Sequence, residues 1–294
     1  MHVVTLISAR NDPRVSRSLA EQAQYIIGEA EIFWLERDTA CDLVTEDAPD
    51  DTTRNALSRL ALSAAVDCVV QPVAGRRKSI LIADMDSTMI DQECIDELAA
   101  EIGLKDKVAA ITARAMNGEI AFEPALRERV ALLRDLPVAR VHDVLATRIR
   151  LATGASTLVA TMRANGAYTA LVSGGFTLFT QDVAQQLGFD EHRANRLDVA
   201  DGVLAGTVAE PILGADSKLA ALHEIAAARG ADAGDVLAVG DGANDLPMIL
   251  AAGTGVALHA KPAVAAKAPF RIDHSDLTGL LFLQGYKSEQ FTAA

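Results

Sequence analysis

Two carboxylates, Asp84 and Asp86, stand one residue apart directly after an apolar run. The run, Ile80 to Ala83, has the length and composition of a buried parallel strand, which would deliver both acids to its carboxyl end. Open α/β sheets bind their ligands at that end. Paired carboxylates there can serve as a nucleophile, as a general acid and base, or as metal ligands. A strand that ends in a solvated acidic turn is the alternative for such a pair on its own.

Two later apolar runs also end in polar residues. One ends at Ser173, and the other is followed by GDGAND at residues 240–245, which contains Asp241 and Asp245. Lys218 lies at the start of the helix predicted before that last run. If these strands are parallel neighbours, their carboxyl ends converge, and carboxylates, a hydroxyl and an ammonium share one crevice. A hard divalent cation would offset the negative charge, and Mg²⁺ is the default for an oxygen-rich site that also binds phosphate.

The elements that would position these residues predict an α/β fold with a helical insertion. From residue 154 onward, buried strands alternate with amphipathic helices, which is the pattern of a Rossmann-like, doubly wound parallel sheet. Residues 94–150 have apolar residues three or four apart and predict a helical cap inserted after the first strand of that sheet. A polar hairpin is expected over residues 194–208, turning at Asp201 and Gly202.

The first part of the chain predicts a separate domain. Residues 1–74 follow the order βαββαβ, which is that of a ferredoxin-like α+β domain. The basic segment at residues 74–78 is the predicted boundary, and we interpret it as a linker rather than an anion-binding patch. The second domain is expected to span residues 78–294.

Composition restricts the partners and the compartment. The formal net charge of −13 argues against nucleic acid, because phosphate binding needs clustered Lys and Arg. The three cysteines form no CxxC pair, so the sequence indicates neither a disulfide framework nor a zinc site. No apolar run approaches about 18 residues and no signal peptide is recognised, so we expect a cytoplasmic protein without a membrane partner.

Four segments together resemble the haloacid dehalogenase (HAD) superfamily of phosphatases, and within it the phosphoserine phosphatase family. They are DMDSTMIDQE at residues 84–93, NGEIAFEPALRERV at 117–130, LVSGGF at 171–176 and VGDGANDLPM at 239–248. The resemblance extends from about Lys78 to the end of the chain. A lone DxD or GDG would not be specific, whereas the full set is.

The resemblance implies Mg²⁺-dependent hydrolysis of O-phospho-L-serine to L-serine and phosphate through an aspartyl phosphate, the last step of serine biosynthesis. Asp84 would be the nucleophile, and Asp86 the acid that protonates the leaving oxygen and then the base that activates water. The implied metal ligands are Asp84, Asp241 and the main-chain carbonyl of Asp86, with Asp245 supporting them. The implied phosphoryl-binding residues are Ser173, Gly174, Lys218 and Asn244.

The resemblance assigns substrate choice to residues in and next to the cap. Glu93 would bind the ammonium group of the substrate, Arg129 would bind its carboxylate through a planar fork of donors, and Phe122 would pack over the site. Taken alone, the same residues fit a helix-start charge, a solvated helix charge and a core aromatic. Two other activities stay open. One is a phosphatase or phosphotransferase for another small phosphomonoester, such as phosphohomoserine or phosphothreonine, and the other is a receiver-like protein that holds an aspartyl phosphate.

Residues 1–74 resemble the ACT type of small-molecule regulatory domain, which shares the βαββαβ order. The resemblance implies an amino-acid effector such as serine, or a role in forming a homodimer. A packing module that binds no ligand fits the same residues, because a fold does not determine a function.

Overall fold

The computed structural model describes residues 1–116 and 119–293. Asn117 and Gly118, which begin the second of the four motifs, therefore lie outside the described residues. Across the described part of the chain, no helix is both long enough and apolar enough to cross a membrane.

The N-terminal part is a four-stranded antiparallel sheet with two helices. Its elements in chain order are β1 (His2–Ile7), α1 (Arg17–Ile27), β2 (Glu31–Glu36), β3 (Ala40–Thr45), α2 (Asp51–Ala64) and β4 (Asp67–Pro72). The strands lie in the order β2-β3-β1-β4. Each helix begins at a side chain that accepts a main-chain hydrogen bond, Ser16 from Leu19 and Asp50 from Thr53. The predicted βαββαβ order is therefore the observed one.

The first strand of the second sheet is followed by the cap. After β5 (Ile80–Ala83) come α3 (Cys94–Glu101), α4 (Lys105–Met116), α5 (Phe122–Ala131) and α6 (Val138–Arg148). Glu101 joins two of these helices, because its carboxylate pairs with Arg140 and lies 2.6 Å from Nη2 of Arg148. The predicted helical insertion is thus observed, in the described part of the chain, as four helices between residues 94 and 148.

The second sheet is parallel and six-stranded, in the order β12-β11-β10-β5-β6-β7. Its further strands are β6 (Tyr168–Phe176), β7 (Glu191–Asn195), β10 (Val236–Gly240), β11 (Thr254–Leu258) and β12 (Phe270–Ile272). The helices that accompany them are α7 (Ala155–Ala164), α8 (Thr177–Leu187), α9 (Ala215–Ala228), α10 (Leu246–Ala251), α11 (Pro262–Ala265) and α12 (Gly279–Leu283). The α/β class and the doubly wound parallel sheet are thus confirmed.

The region between α8 and α9 differs from the prediction at its start. The hairpin consists of β8 (Leu197–Ala200) and β9 (Val203–Val208), and it turns at Asp201 and Gly202, whose φ angles are +51° and +79°. Residues 191–195, part of which the sequence assigned to the hairpin, instead form β7, the edge strand of the parallel sheet. β7 is polar and only partly buried, so it lacks the apolar run that marks the central strands.

The N-terminal sheet is joined by a buried contact to helix α12, which accompanies the second sheet. Ile7 and Val69 of the N-terminal sheet share one apolar cluster with Leu281 and Phe282 of α12. Arg76, from the predicted linker, lies between them: its guanidinium is 2.7 Å from Oδ2 of Asp42 and donates to the main-chain carbonyl of Phe282 at 3.1 Å. The linker therefore also fixes the N-terminal sheet against α12, which its sequence did not indicate.

Candidate active site

The strand ends that carry the predicted site residues meet at one edge of the parallel sheet. β5 lies between β10 and β6, and Ala83 pairs with Val239 on one side and with Leu171 on the other. Beyond Ala83, the main-chain N–H of Asp84 donates to the carbonyl of Val239 at 3.0 Å. Because neighbouring parallel strands end together, Asp84, Ser173 and Asp241 enter the same crevice, as the sequence predicted.

Lys218 connects two of the acidic residues. Its side chain, on the first turn of α9, is 2% exposed, and Nζ lies 2.5 Å from Oδ1 of Asp84 and 2.6 Å from Oδ1 of Asp245. Burial alone would lower the pKa of Lys218, but the carboxylates of Asp245 and Asp84 outweigh it and raise that pKa. The ammonium is therefore held in its charged form next to the predicted nucleophile.

The acidic residues are crowded enough to bind a metal ion. Asp84, Asp241 and Asp245 each offer a carboxylate oxygen, and these oxygens lie within 4.8 Å of one another. Burial, followed by repulsion from Asp245, raises the pKa of Asp84 and raises that of Asp241 to about 7. A hard cation favours such an all-oxygen set and would relieve the repulsion. Asp245 also accepts an N–H bond from Gly242 at 2.9 Å, so it stabilises the loop that carries Asp241, while one of its oxygens belongs to the cluster.

Asp86 has a different environment from Asp84. Its Oδ2 accepts a long hydrogen bond of 3.4 Å from the main-chain N–H of Cys94, and its buried Oδ1 has no hydrogen-bond partner among the described residues. Burial and the nearby charge of Glu93 raise the pKa of Asp86 to about 7. A carboxyl group with such a pKa can donate a proton and take one back near neutral pH.

Glu93 is held by a residue of the turn that follows Asp86. Ser87 adopts a left-handed backbone conformation with φ +55°, and its hydroxyl donates to Oε1 of Glu93 at 2.8 Å. A serine with positive φ is uncommon, and the strain costs about 1 kcal/mol. The strained turn places the Ser87 hydroxyl where it orients the carboxylate of Glu93.

The loop after β6 is fixed by a residue that sequence reasoning missed. The Ser173 hydroxyl accepts the N–H of Gly175 at 2.9 Å. The buried side chain of Asn195 donates to the carbonyl of Gly174 at 2.8 Å and accepts the N–H of Leu213 at 2.7 Å. Asn195 ends β7, so it would have been found as a fourth polar strand end had β7 been recognised as part of the sheet.

The GDGAND loop is shaped by close contacts at its glycines. A Cβ at Gly240 would collide with the side chain of Asp245, and one at Gly242 would collide with that of Asn244. Nδ2 of Asn244 lies 3.9 Å from the place that a Cβ of Gly174 would take. Asn244 therefore lies between the two loops that the sequence assigned to phosphate binding.

The cap contacts the core across the crevice. The ring of Phe122 lies 3.3 Å from the position of a Cβ at Gly214 and 3.6 Å from that of a Cβ at Gly174. Arg127, on the same helix α5, forms an ion pair with Glu210 of the core. Phe122, 36% exposed, is thus at the mouth of the crevice rather than in a core.

Arg129 occupies the inner side of the same helix. It donates from Nη1 to the hydroxyl of Thr112 at 3.4 Å and from Nε to the carbonyl of Ala125 at 3.3 Å. Burial lowers the pKa of Arg129, while the carboxylates of Asp96, Glu93 and Asp86 oppose that shift. Arg129, which the resemblance assigned to the substrate carboxylate, therefore lies close enough to Glu93 and Asp86 for their charges to act on its guanidinium.

Comparison with known proteins agrees with this geometry. The family described as haloacid dehalogenase-like hydrolase matches residues 81–250. A phosphoserine phosphatase of Archaeoglobus fulgidus is 42% identical over 81% of this chain and 69% of its own length. One of Streptomyces coelicolor is 40% identical over 87% of this chain, which spans only 63% of that relative's length. The crystal structure of a HAD family hydrolase from Salmonella enterica serovar Typhi superposes with a TM-score of 0.86 at 30% identity and covers 98% of this chain and 100% of the other.

Proposed function

Because this chain belongs to the haloacid dehalogenase-like hydrolase family, we propose that it hydrolyses O-phosphoserine to serine and inorganic phosphate. One observation carries the proposal: two unlike carboxylates follow one strand. Asp84 contacts a buried ammonium, and Asp86 has a buried oxygen without a hydrogen-bond partner among the described residues. The relatives named as phosphoserine phosphatases support this choice of substrate.

The reaction assigns one role to each carboxylate. An oxygen of Asp84 attacks phosphorus, the bond from phosphorus to the seryl oxygen breaks, and Asp86 gives its proton to that oxygen. Asp86 then takes a proton from the water that attacks the aspartyl phosphate, the bond from phosphorus to the Asp84 oxygen breaks, and phosphate leaves. Lys218, the Ser173 hydroxyl and the main-chain amide of Gly174 stabilise the charge on the phosphoryl oxygens.

We assign Mg²⁺ to the acidic cluster. Asp84, Asp241 and the main-chain carbonyl of Asp86 would hold the ion, and Asp245 would support them while it also binds Lys218. Bound there, the cation neutralises negative charge on the phosphoryl group and on the carboxylates. Asn244 supports the loop that places Asp241 and contributes to phosphoryl binding.

The serine part of the substrate is read by residues on the cap side of the crevice. Glu93 takes the ammonium group and Arg129 the carboxylate, while Phe122 covers the site from α5. The cap closes over the substrate to exclude bulk water and opens to release the products. The contacts of Phe122 and Arg127 with the core support a closed form as the one described here.

A steady-state assay tests the proposed function. We expect release of phosphate from O-phosphoserine that requires Mg²⁺, and a much smaller kcat/KM for ethyl phosphate, which lacks both the amine and the carboxylate. Equal values for the two esters would reject phosphoserine as the specific substrate. Phosphothreonine and phosphohomoserine in the same assay separate the proposed substrate from its close analogues.

The N-terminal sheet is assigned a role in homodimer formation or in binding an amino-acid effector. Its strand β2, which carries the exposed Phe33, lies at the edge of the sheet, and an unpaired sheet edge can pair with a second chain. Sedimentation of the full chain with and without serine, together with inhibition by serine, tests both roles. A monomer without inhibition at millimolar serine would dismiss them.

Replacing Ser87 by alanine is expected to raise KM for phosphoserine about fivefold, with kcat within about twofold of the original. The change removes one charge-assisted hydrogen bond to Glu93, and about 1 kcal/mol corresponds to that factor. Ser87→Gly removes the same hydroxyl but accepts the positive φ without strain. Comparison of the two variants therefore separates the loss of the hydroxyl from any effect of backbone strain. Both variants should leave KM for ethyl phosphate unchanged. An equal rise for ethyl phosphate would place the effect of Ser87 at the phosphoryl group.

The metal-free protein is expected to lose stability as the pH rises from about 4 to about 7. The pKa of Asp84 is raised in the folded protein, and those of Asp86 and Asp241 are raised to about 7. The unfolded chain titrates near 4, so the folded state holds these protons more tightly. For Asp86 and Asp241 the stabilisation is complete below about pH 4 and is gone above about pH 7, and the raised pKa of Asp84 acts in the same direction.

A divalent cation should reverse this loss, because it binds the ionised carboxylates. We expect Mg²⁺, at one concentration of about 100 times its Kd at pH 8, to raise Tm by about 5 °C at pH 8 and by less than half of that at pH 5. Thermal unfolding at both pH values, with sodium chloride at equal ionic strength as the control, measures the difference. Asp241→Asn should abolish most of the rise. An equal rise at both pH values would show that these carboxyls do not bind the ion.

A further inference from the structure

We propose that Asp67, in the N-terminal sheet, is a positioning residue for the hinge on which the cap moves. This inference rests on the proposed phosphatase function and gives the N-terminal sheet a direct part in it. Asp67 acts through main-chain contacts that run from β4 to the two chain segments joining the cap to the core.

Asp67 binds a segment of the phosphatase part of the chain. Its carboxylate, 5% exposed, accepts N–H bonds from Asp273 at 2.7 Å, from His274 at 3.1 Å and from Ser275 at 2.8 Å. These three residues directly follow β12. One carboxylate from the N-terminal sheet thus holds three consecutive main-chain amides of the other part of the molecule.

The same segment continues into contact with the hinge. The main-chain N–H of Leu277 donates to the carbonyl of Thr153 at 3.3 Å. Gly154 has φ +83°, and a Cβ at that position would lie 2.8 Å from the main-chain nitrogen of Thr278 and 2.9 Å from Oδ1 of Asp276. The residue at position 154 therefore lies directly against the segment that Asp67 holds, with no space between them.

The two connections between cap and core are bound to each other at this place. On the return connection, Ala152 donates its N–H to the carbonyl of Met89 at 2.9 Å, and Arg150 accepts the N–H of Asp91 at 3.1 Å. The main-chain N–H of Arg150 also binds the side chain of Gln92 at 2.8 Å. The chain that leads from β5 into the cap is thus the segment that links Asp86 to Glu93. A displaced hinge therefore displaces residues of the site.

The consequence concerns the closed form of the cap. Rigid cap motion needs a fixed base for its hinge, and the contacts from Asp67 to residue 154 supply one. If that base loosens, the form competent to bind is less populated, and the apparent affinity for substrate falls by the same fraction. Saturating substrate restores closure, so KM changes more than kcat.

The test compares Asp67→Asn with a matched variant, Asp42→Asn. Both aspartates are 5% exposed and both hold the sheet to the phosphatase part, but Asp42 acts through Arg76 on the far end of α12. We expect Asp67→Asn to raise KM for phosphoserine about three- to tenfold with kcat within about twofold. For Asp42→Asn, we expect KM within about twofold. A loss of folded protein alone would lower the apparent kcat and leave KM unchanged, and that result would overturn the proposal.

Hydrogen exchange measures the local stability of the hinge in the absence of substrate. We expect amides of residues 150–154 to exchange about tenfold faster in Asp67→Asn and at the original rate in Asp42→Asn. Unchanged exchange at the hinge, or an equal increase in both variants, would overturn the proposal. Because this measurement needs no turnover, failure of the proposed activity would show in the wild-type assay alone and is distinguished from failure of the hinge contact.

A second variant approaches the same contact from the phosphatase side. Asp276 accepts the N–H of Thr278 at 2.7 Å beside Gly154, and Asp276→Ala removes that bond. Its effect on KM should be less than additive with that of Asp67→Asn, since both loosen one segment. Independent, additive effects would contradict a shared path, and this variant also serves if Asp67→Asn does not fold.

Discussion

Replacing Asp84 by asparagine is expected to lower the rate of phosphate release by at least about 10⁴-fold. Removing one member of a group of cooperating catalytic residues has effects of this size. The amide keeps the shape of the side chain but is a poor nucleophile. It also removes one of the two carboxylates that hold Lys218, at 2.5 Å from Nζ. Single-turnover release of phosphate measures the loss, and calorimetric binding of phosphoserine shows whether the site still forms.

The surface variant Asp51→Asn is the control for this prediction. Asp51 lies in the first turn of α2, is exposed, and should leave turnover within about twofold of the original. Asp84→Asn with near-normal release and normal folding would remove Asp84 from the reaction. It would also remove the proposed division of roles between Asp84 and Asp86.

The central strands were predictable because their physical signals are local. β5 and β10 are short apolar runs buried on both faces, and their polar ends follow directly in sequence. Parallel pairing then brings Asp84 and Asp241 together without any knowledge of side-chain positions. The edge strand β7 and the short β12 lack such runs. Because β7 was not recognised, Asn195 at its end could not be recognised as a residue of the site.

The contacts that join the N-terminal part of the chain to the rest of the molecule could not be predicted from the sequence. Arg76 lies in a basic segment that has the composition of a linker, and Asp67 is one acid in an apolar strand. Each is removed from solvent, largely or completely, because distant segments meet: Arg76 binds Phe282 and Leu283, and Asp67 binds amides that lie more than 200 residues further along the chain. Partners this far apart in sequence are set by tertiary packing rather than by local pattern.

The different roles of Asp84 and Asp86 also depend on the fold. Two carboxylates one residue apart are equivalent in sequence, and only the motif resemblance distinguished them. In the structure the buried ammonium of Lys218 contacts Asp84, while burial and Glu93 raise the pKa of Asp86 to about 7. This separation of environments is what allows one acid to attack while the other transfers protons.

Lys218→Met should lower kcat/KM by at least about 10³-fold, because it removes the cation that stabilises the phosphoryl oxygens. Lys218→Arg keeps the charge but should recover little activity. A planar guanidinium does not fit a site that is 2% exposed and places two carboxylates within 2.6 Å of one nitrogen. The exposed Lys267→Met is the matched control and should retain activity.

The residual activity of Lys218→Met should also shift to higher pH. Without the ammonium, Asp84 and Asp245 repel each other uncompensated, so the pKa of Asp84, already raised by burial, rises further. Asp84 must be ionised to attack, and a higher pKa moves that ionisation towards alkaline pH. The acid limb of the kcat/KM profile is the measurement. An unshifted limb, or a loss below about tenfold, would show that Lys218 does not control the charge of the nucleophile.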